Sequence, residues 1–262
     1  MDYLIVCSAA LLVAGLTFFA GFGLGTLLMP VFAIFFPVEV AIAATAMVHL
    51  ANNFFKVLLV GRHANQRVVL LFAIPGAVAA VLGAMMLGFF AESGPLVSYE
   101  LWGRLYNVTP VKLLIAMVIG VFAVIELLPF GQHLAFGPRF IPLGGLLSGF
   151  LGGLSGHQGA LRSAFLVRAG LEKKALVGTM VVSAVVVDMA RLVVYGATFM
   201  HHDSAMLTDQ NMLGLVAAGS LAAFVGSFVG ARLLHKMTLG ALHKIITVML
   251  ILLAAAMALG VV

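Results

Sequence analysis

Long apolar segments separated by short polar gaps constrain this chain more than any other feature of its sequence. They cover residues 3–36, 40–60, 68–91, 111–128, 140–167, 174–200, 212–234 and 239–262. A helix needs about 20 mostly apolar residues to cross a bilayer, whereas a strand of a membrane barrel needs only about 10. The segments are therefore too long for barrel strands, and they predict an all-α, polytopic membrane protein whose backbone groups are satisfied within helices.

The composition excludes a soluble protein. Hydrophobic residues make up 63% of the 262 residues and charged residues only 9%, whereas a soluble domain is about 45–50% apolar and about 25% charged. Charge is too scarce here to cover a water-facing surface or to keep a chain disordered. We expect residues 1–262 to form a single transmembrane domain with no soluble appendage and no nucleic-acid partner.

The basic residues predict an orientation. Lys and Arg outnumber Asp and Glu by 14 to 9, and they concentrate in the gaps 61–67, 168–174 and 232–244, which the positive-inside rule places in the cytoplasm. The acidic gaps 92–110 and 201–211 are then expected to face outward.

Matching positions in the two halves predict a duplication. A shift of 134 residues places Gly25 on Gly159, Ala41 on Ala175, Thr45 on Thr179 and Leu58 on Leu192. We expect one repeat over about residues 1–130 and a second over about 135–262. Segments 40–60 and 174–200 then cross in opposite directions, so the repeats are inverted if 3–36 and 140–167 each fold back at their glycines. A parallel duplication, in which each broken segment crosses once, stays open.

Glycine clusters break the first segment of each predicted repeat. Such breaks expose backbone N–H groups and the positive end of a half-helix, which suits an anion, and in transporters they mark binding sites. Close helix packing and a helix cap are the structural alternatives. The candidate substrate-binding residues at the two breaks are Gly21, Gly23, Gly25, Gly156, His157, Gln158, Gly159 and Arg162. Arg162 adds a planar donor fork for oxyanions, unless it extends to the cytoplasmic face.

Polar stripes mark two of the long apolar helices. Steps of three and four residues place the first stripe on one helix face, where it predicts a cavity wall or a buried packing face. It consists of Thr45, His49, Asn52, Asn53 and Lys56. The amides Asn52 and Asn53 are the strongest candidates for substrate binding, and the other three for gating or coupling. Lys56 is close enough to the helix end to reach the interface instead.

The second stripe consists of Thr179, Ser183, Asp188 and Arg191, with Tyr195 beyond. Asp188 and Arg191 lie three residues apart and can pair within one helix, either as a structural ion pair or as a gating or proton-coupling element. His49 and His157 are further candidates to carry protons.

Features of enzymes and metal sites are missing from the sequence. We find no metalloprotease, phosphate-loop or nucleophile-elbow motif, and the single cysteine, Cys7, permits no internal disulfide or paired-cysteine metal site. We therefore expect no enzymatic activity, no cofactor and no metal.

The glycine breaks and the residues that follow them resemble the sulfite exporter TauE/SafE family. The first half carries the glycine cluster, Pro30, the run Val40–Thr45 and the arginine-containing gap 61–67, and the run Gly153–Leu166 with Val187–Leu192 is similar to one branch of the family. The resemblance extends over nearly the whole chain and implies a duplicated transporter of small sulfur-containing or organic anions. Phe22, Leu24, His157 and Gln158 interrupt the continuous glycine run of the commoner family pattern, so the resemblance does not specify which anion.

The sequence therefore predicts a secondary transporter that moves a small anion, such as sulfite or a sulfonate, by alternating access. The bilayer expected around it is the plasma membrane, which would be the inner membrane of a Gram-negative source. An anion channel, a membrane-embedded enzyme and a membrane scaffold are the alternatives. The sequence leaves open whether the chain forms a homo-oligomer.

Overall fold

The computed structural model describes residues 1–16, 24–127, 135–202, 210–233 and 239–261. Within these ranges the chain forms ten α-helices, with the following bounds: α1 Asp2–Leu16, α2 Leu24–Ala33, α3 Val38–Val60, α4 Gln66–Ala91, α5 Pro110–Leu127, α6 Ile141–Ser155, α7 Gly159–Leu166, α8 Lys173–His202, α9 Gln210–Leu233 and α10 Leu239–Ala258. Short 3-10 turns occupy Gly61–His63 and Pro138–Phe140.

Four helices are long and apolar enough to cross a bilayer. Among the described residues these spans are Val38–His63, Gln66–Ala91, Lys173–Thr198 and Asn211–Gly230. Their mean hydropathy lies between 1.3 and 2.4, and shorter apolar helices fill much of the remaining chain. The prediction of an all-α, polytopic membrane protein is confirmed.

A small β-hairpin interrupts the helices in the gap between α4 and α5, and the sequence analysis did not predict it. Strand β1, Val97–Leu101, pairs antiparallel with β2, Arg104–Val108. Trp102 and Gly103 form the turn with positive φ angles of 54° and 72°, as a two-residue hairpin turn requires. The Tyr99 hydroxyl donates a hydrogen bond to the carbonyl of Leu259, which fastens the hairpin to the end of α10.

The second broken segment is a helical hairpin. Helix α6 ends at Gly156, whose φ of 82° favours glycine, and α7 then runs back along α6. Gly144 on α6 lies against the Phe165 ring on α7, and a Cβ on Gly152 would lie 2.9 Å from the Cβ of Gln158. In the first broken segment, α1 contacts α2. Residues 17–23, which include Gly21 and Gly23, lie outside the described residues.

Glycines also bring helices into close contact. Gly145, Gly149 and Gly153 recur every four residues on the face of α6 that meets α4, where each lies against a backbone carbonyl of the facing helix. Gly226 and Gly230 on α9 lie in the same way against α1. Such small-residue faces allow helices to pack tightly where lipid provides no hydrophobic drive.

Helices α3 and α8 cross at the centre of the bundle and run antiparallel. The backbone N–H of Asn65, just beyond α3, donates to the Thr179 hydroxyl near the start of α8 at 3.0 Å. Halfway along both helices, His49 meets Asp188. The centre of the polar stripes therefore lies about midway along the two most buried of the four candidate spans, next to the α6–α7 turn.

Candidate functional site

Asp188 is the centre of a buried polar network that joins three elements. Its side chain is fully buried and accepts hydrogen bonds from His49 Nδ1 on α3 at 2.6 Å and from Gln158 Nε2 at the α6–α7 turn at 2.7 Å. On its own helix, Arg191 donates to Asp188 from Nη2 at 2.7 Å and from Nε at 3.0 Å. The carboxylate therefore holds α3, α8 and the hairpin turn in one arrangement.

Arg191 extends this network to the end of α6. Its Nη1 donates to the Gly152 carbonyl at 2.8 Å, and the Tyr195 hydroxyl, one turn further along α8, donates to the carbonyl of Gly153. These carbonyls belong to the last turn of α6, where the helix dipole favours a cation. Arg191 therefore neutralises Asp188 and binds a helix C-terminus with the same guanidinium group.

The turn between α6 and α7 brings its side chains to Asp188. Gly156 permits this turn because its φ of 82° is one that residues with a side chain rarely adopt. Gln158 connects two charged groups, since its Nε2 donates to Asp188 while its Oε1 accepts from Arg162 Nη1 at 3.2 Å. Arg162 is buried at 3% exposure, so it does not extend to the cytoplasmic face. Gly159, also buried, is the first residue of α7.

His157 takes no part in this chain of hydrogen bonds among the described residues. Its Nδ1 lies 3.0 Å from the Ser155 carbonyl, and its ring stacks on Phe122 of α5 with a centroid separation of 6.2 Å. The ring is buried, and its Nε2 has no hydrogen-bond partner among the described residues. Phe122 was not singled out by the sequence analysis, and no spacing signal relates it to His157.

The α3 stripe is buried along its whole length, from Thr45 to Lys56. Asn53 Nδ2 lies 3.1 Å from His49 Nδ1 and 3.4 Å from Asp188 Oδ2, so Asn53 belongs to the central network. Asn52 faces α9, where its Oδ1 accepts from the Ser227 hydroxyl at 2.8 Å. The Nδ2 of Asn52 and the hydroxyl of Thr45 are buried without a partner in the part of the chain that the structure describes.

The second glycine break contacts the one described glycine of the first. A Cβ on Gly25, in the first turn of α2, would lie 3.3 Å from the Gly156 carbonyl oxygen and 3.8 Å from His49 Cδ2. Helix α3, the start of α2 and the α6–α7 turn therefore meet at one place. Gly21 and Gly23 remain sequence predictions because the structure does not describe them.

The structure does not bring every predicted residue to this centre. Thr179 binds the backbone N–H of Asn65 near the predicted cytoplasmic ends of the helices. Ser183 is buried on α8 with no described hydrogen-bond partner for its hydroxyl. Ser227 and Ser155 were missed by the sequence analysis because an isolated serine in an apolar helix carries little signal. The sequence does place Tyr195 beside Arg191, because the two are four positions apart, which is about one turn of a helix.

The buried charges around the site do not balance. Among the described side chains, Lys56, Arg162 and Arg191 are buried cations and Asp188 is the buried carboxylate. Lys56 and Arg162 lie within electrostatic range of one another. With the two guanidinium groups and the Lys56 amine beside a single carboxylate, in a medium of low dielectric constant, the local potential is positive. A small anion is the ligand that this potential favours.

A metal site has no support in the same region. The described residues contain no group of three or more His, Cys, Asp and Glu side chains that could hold a metal ion. The side chains nearest the Asp188 carboxylate are hydrogen-bond donors, which occupy its oxygens in place of a metal ion.

One comparison with known protein families gives a match that extends over nearly the whole chain. The sequence model of the family described as "Sulfite exporter TauE/SafE" matches residues 6–257. No curated protein and no solved structure matches the chain. Because the match extends over nearly all of the 262 residues, the chain belongs to the sulfite exporter TauE/SafE family, whose members are membrane transporters of sulfite or related anions.

Proposed function

We propose that the protein is a secondary transporter that carries a small oxyanion, such as sulfite, a sulfonate or a related organic anion, across the plasma membrane by alternating access. The observation that carries this proposal is the excess of buried positive charge beside the α6–α7 turn. Positive charges that lie close together in a medium of low dielectric constant repel one another, and a bound anion would reduce that repulsion. The proposed role is transport, without a catalytic step.

The proposed site divides into residues that contact the anion and residues that position them. Arg162 presents a guanidinium group, and Asn52 presents an amide N–H group that lacks a partner in the described structure. Gln158, His49 and Asn53 are already engaged with one another or with Asp188, so they position the site. Asp188 and Arg191 hold α8 against the hairpin turn, and a change in their contacts would accompany gating.

A small, water-sized cavity at the predicted outer end of the bundle lies on the proposed route to this site. It lies between α3, α4 and α8, and the residues that line it include Glu39, Gly88, Tyr195 and Thr198. Tyr195 lies at its inner end, one turn of α8 from Arg191, and its hydroxyl binds the end of α6. We expect Tyr195 to separate the site from the outside in this conformation.

Inverted repeats are part of the proposal, and the packing of the helices supports them. The first helix of each half packs along the fourth helix of the other half, α1 on α9 and α6 on α4. Likewise α3 contacts α8 and α5 contacts α10. A two-fold relation between the halves would generate these reciprocal contacts, and the antiparallel course of α3 and α8 is the course expected for inversion. Rocking of one repeat against the other would then expose the site alternately.

The test is the uptake of labelled sulfite, and of a small panel of sulfonates, into proteoliposomes with and without a proton gradient. We expect saturable uptake, stimulated by unlabelled substrate on the opposite side of the membrane. In Arg162→Ala, kcat/KM should fall at least about tenfold, because a hydrogen bond to a charged group contributes about 1.5–3 kcal/mol. The matched control is Arg168→Ala, which removes an exposed arginine from the end of the same hairpin and should leave uptake unchanged.

Three results would contradict the proposal. Folded protein that moves none of these anions is not an anion transporter. Flux that neither saturates nor shows stimulation by counter-flow would indicate a channel. Equal losses in the Arg162 and Arg168 variants would remove the site from the α6–α7 turn.

A further inference from the structure

We propose that His157 Nε2 accepts a hydrogen bond from a hydroxyl group on the anion, so that the site selects a hydrogen-bearing oxyanion over an otherwise similar anion without that hydroxyl. The assignment rests on the transport function proposed above and narrows its substrate class. Hydrogen sulfite, which carries one negative charge and one O–H group, is the simplest example.

The tautomer of His157 follows from its neighbour. A backbone carbonyl can only accept a hydrogen bond, so the contact between Nδ1 and the Ser155 carbonyl at 3.0 Å places a proton on Nδ1. In a neutral imidazole, Nε2 is then the unprotonated nitrogen and offers a lone pair. The stacked Phe122 ring on α5 fixes the plane of the imidazole and hence the direction of that lone pair.

The charged surroundings of His157 agree with a neutral ring. The charged group that faces it from α8 is the Arg191 guanidinium, and two adjacent cations repel one another. The oxygens of Asp188 are occupied by His49, Gln158 and Arg191. Within the described residues, no carboxylate is therefore left to pair with a protonated His157.

Nε2 is a buried acceptor without a partner in the described structure. A buried polar atom is costly unless it is hydrogen-bonded, and such atoms at binding sites are completed by a ligand. The α6–α7 turn thus presents two kinds of group, the cationic donor Arg162 for anionic oxygens and the acceptor His157 for a hydroxyl. An anion without a hydroxyl would place a methyl group or an oxygen lone pair against Nε2 and leave it unsatisfied, which is how polar sites reject close analogues.

The test compares hydrogen sulfite with methanesulfinate. The two anions have the same charge and similar shape, and a methyl group in the second replaces the hydroxyl group of the first. Each is used as a competitor of labelled sulfite uptake into proteoliposomes. In the wild type we expect hydrogen sulfite to inhibit at least about tenfold more strongly than methanesulfinate, the factor that about 1.4 kcal/mol produces.

Two substitutions attribute this preference to Nε2. His157→Phe keeps an aromatic ring to stack on Phe122 but removes the acceptor, so the two anions should inhibit uptake about equally. His157→Gln keeps an acceptor oxygen and should retain part of it. Equal inhibition by the two anions in the wild type, or a preference that persists in His157→Phe, would overturn the assignment and leave the transport function intact.

A pH series in the wild type tests the inference without any variant. Methanesulfinate keeps its charge as the pH rises, whereas hydrogen sulfite loses its proton, so the ratio of the two inhibition constants cancels the titration of the protein itself. We expect the preference for sulfite to decline as the pH rises. A preference that is constant or increases would overturn the assignment, and the absence of uptake of either anion by folded protein would overturn the transport function as well.

Discussion

Asp188 is the residue on which the buried network depends most. It accepts hydrogen bonds from His49 on α3, from Gln158 at the hairpin turn and from Arg191 on its own helix. Charge-assisted hydrogen bonds of this kind are about twice as strong as neutral ones. The same carboxylate is also the negative charge that compensates the buried Arg191, so its removal affects both hydrogen bonding and charge balance.

We predict that Asp188→Asn destabilises the protein by about 3–5 kcal/mol, the usual cost of removing one partner of a buried ion pair. The measurement is the free energy of unfolding of the purified protein in detergent. Ser183→Ala is the matched control, since Ser183 is buried on the same helix and its hydroxyl has no described partner, and it should change stability by less than about 1 kcal/mol. The double variant Asp188→Asn, Arg191→Gln should lose less than the sum of its single variants. Similar stabilities of the Asp188 and Ser183 variants would show that the carboxylate does not hold the network together.

At the scale of elements, the sequence predicted those features that arise from local pattern. The apolar segments became helices, and the glycines around Gly156 correctly predicted a break in the second broken segment. Periodic spacing could not predict contacts between elements. His49 and Asp188, for example, lie 139 positions apart in the sequence, a separation that leaves no periodic signal. The β-hairpin was missed because five-residue strands in a polar gap are too short for a clear alternation.

The contact between α4 and α6 predicts different effects of alanine at two glycines. A Cβ at Gly149 would lie 2.7 Å from the Cα of Gly76 and closer still to its carbonyl group, so Gly149→Ala must push the two helices apart. We expect a cost of about 1–3 kcal/mol or more, as for overpacking in a dense core. Gly196→Ala is the control, because a Cβ there meets no atom within 4 Å and gains up to about 1 kcal/mol of helix propensity. The measurement is the midpoint of thermal unfolding of each variant in detergent. Equal midpoints for Gly149→Ala and Gly196→Ala would show that α4 and α6 separate without a cost in stability.

We expect the β-hairpin to anchor the protein at the membrane–water interface through Trp102. Trp102, at its turn, is 90% exposed and belongs to the segment that joins the ends of α4 and α5; beside the ends of membrane spans, tryptophan favours the headgroup region. Trp102 is the only tryptophan in the chain, so its fluorescence reports on this position alone. In nanodiscs with brominated lipids, we expect stronger quenching by bromines near the headgroups than by bromines at the chain ends. The control is the double variant Trp102→Phe, Leu82→Trp, whose single tryptophan replaces an exposed leucine midway along α4. In this variant, bromines at the chain ends should quench more strongly than bromines near the headgroups. Trp102 emission that brominated lipids leave unchanged would place the hairpin in water.

At the scale of the whole molecule, the reciprocal helix contacts connect the fold with the proposed mechanism. Each half contributes its first helix to the other half, so neither half has a complete interface alone. The central network has the same character, because α3 from one half and α8 with the α6–α7 turn from the other meet at Asp188. A movement of one half relative to the other must therefore alter the surroundings of Arg162 and Asp188, which is the coupling that alternating access requires.

The arrangement predicts opposite membrane sides for the ends of corresponding helices. Gln66 follows the end of α3, and Asn211 follows the end of α8, and both are exposed. Cys7 is the only cysteine, so a Cys7→Ser background allows single cysteines to be introduced as Gln66→Cys and Asn211→Cys, with Glu100→Cys in the hairpin as an outward reference. In intact cells, a membrane-impermeant maleimide should label positions 100 and 211, and should label position 66 only after permeabilisation. A parallel duplication requires positions 66 and 211 to label together, whereas a complete reversal of the pattern would keep the inversion and contradict only the orientation derived from the positive-inside rule.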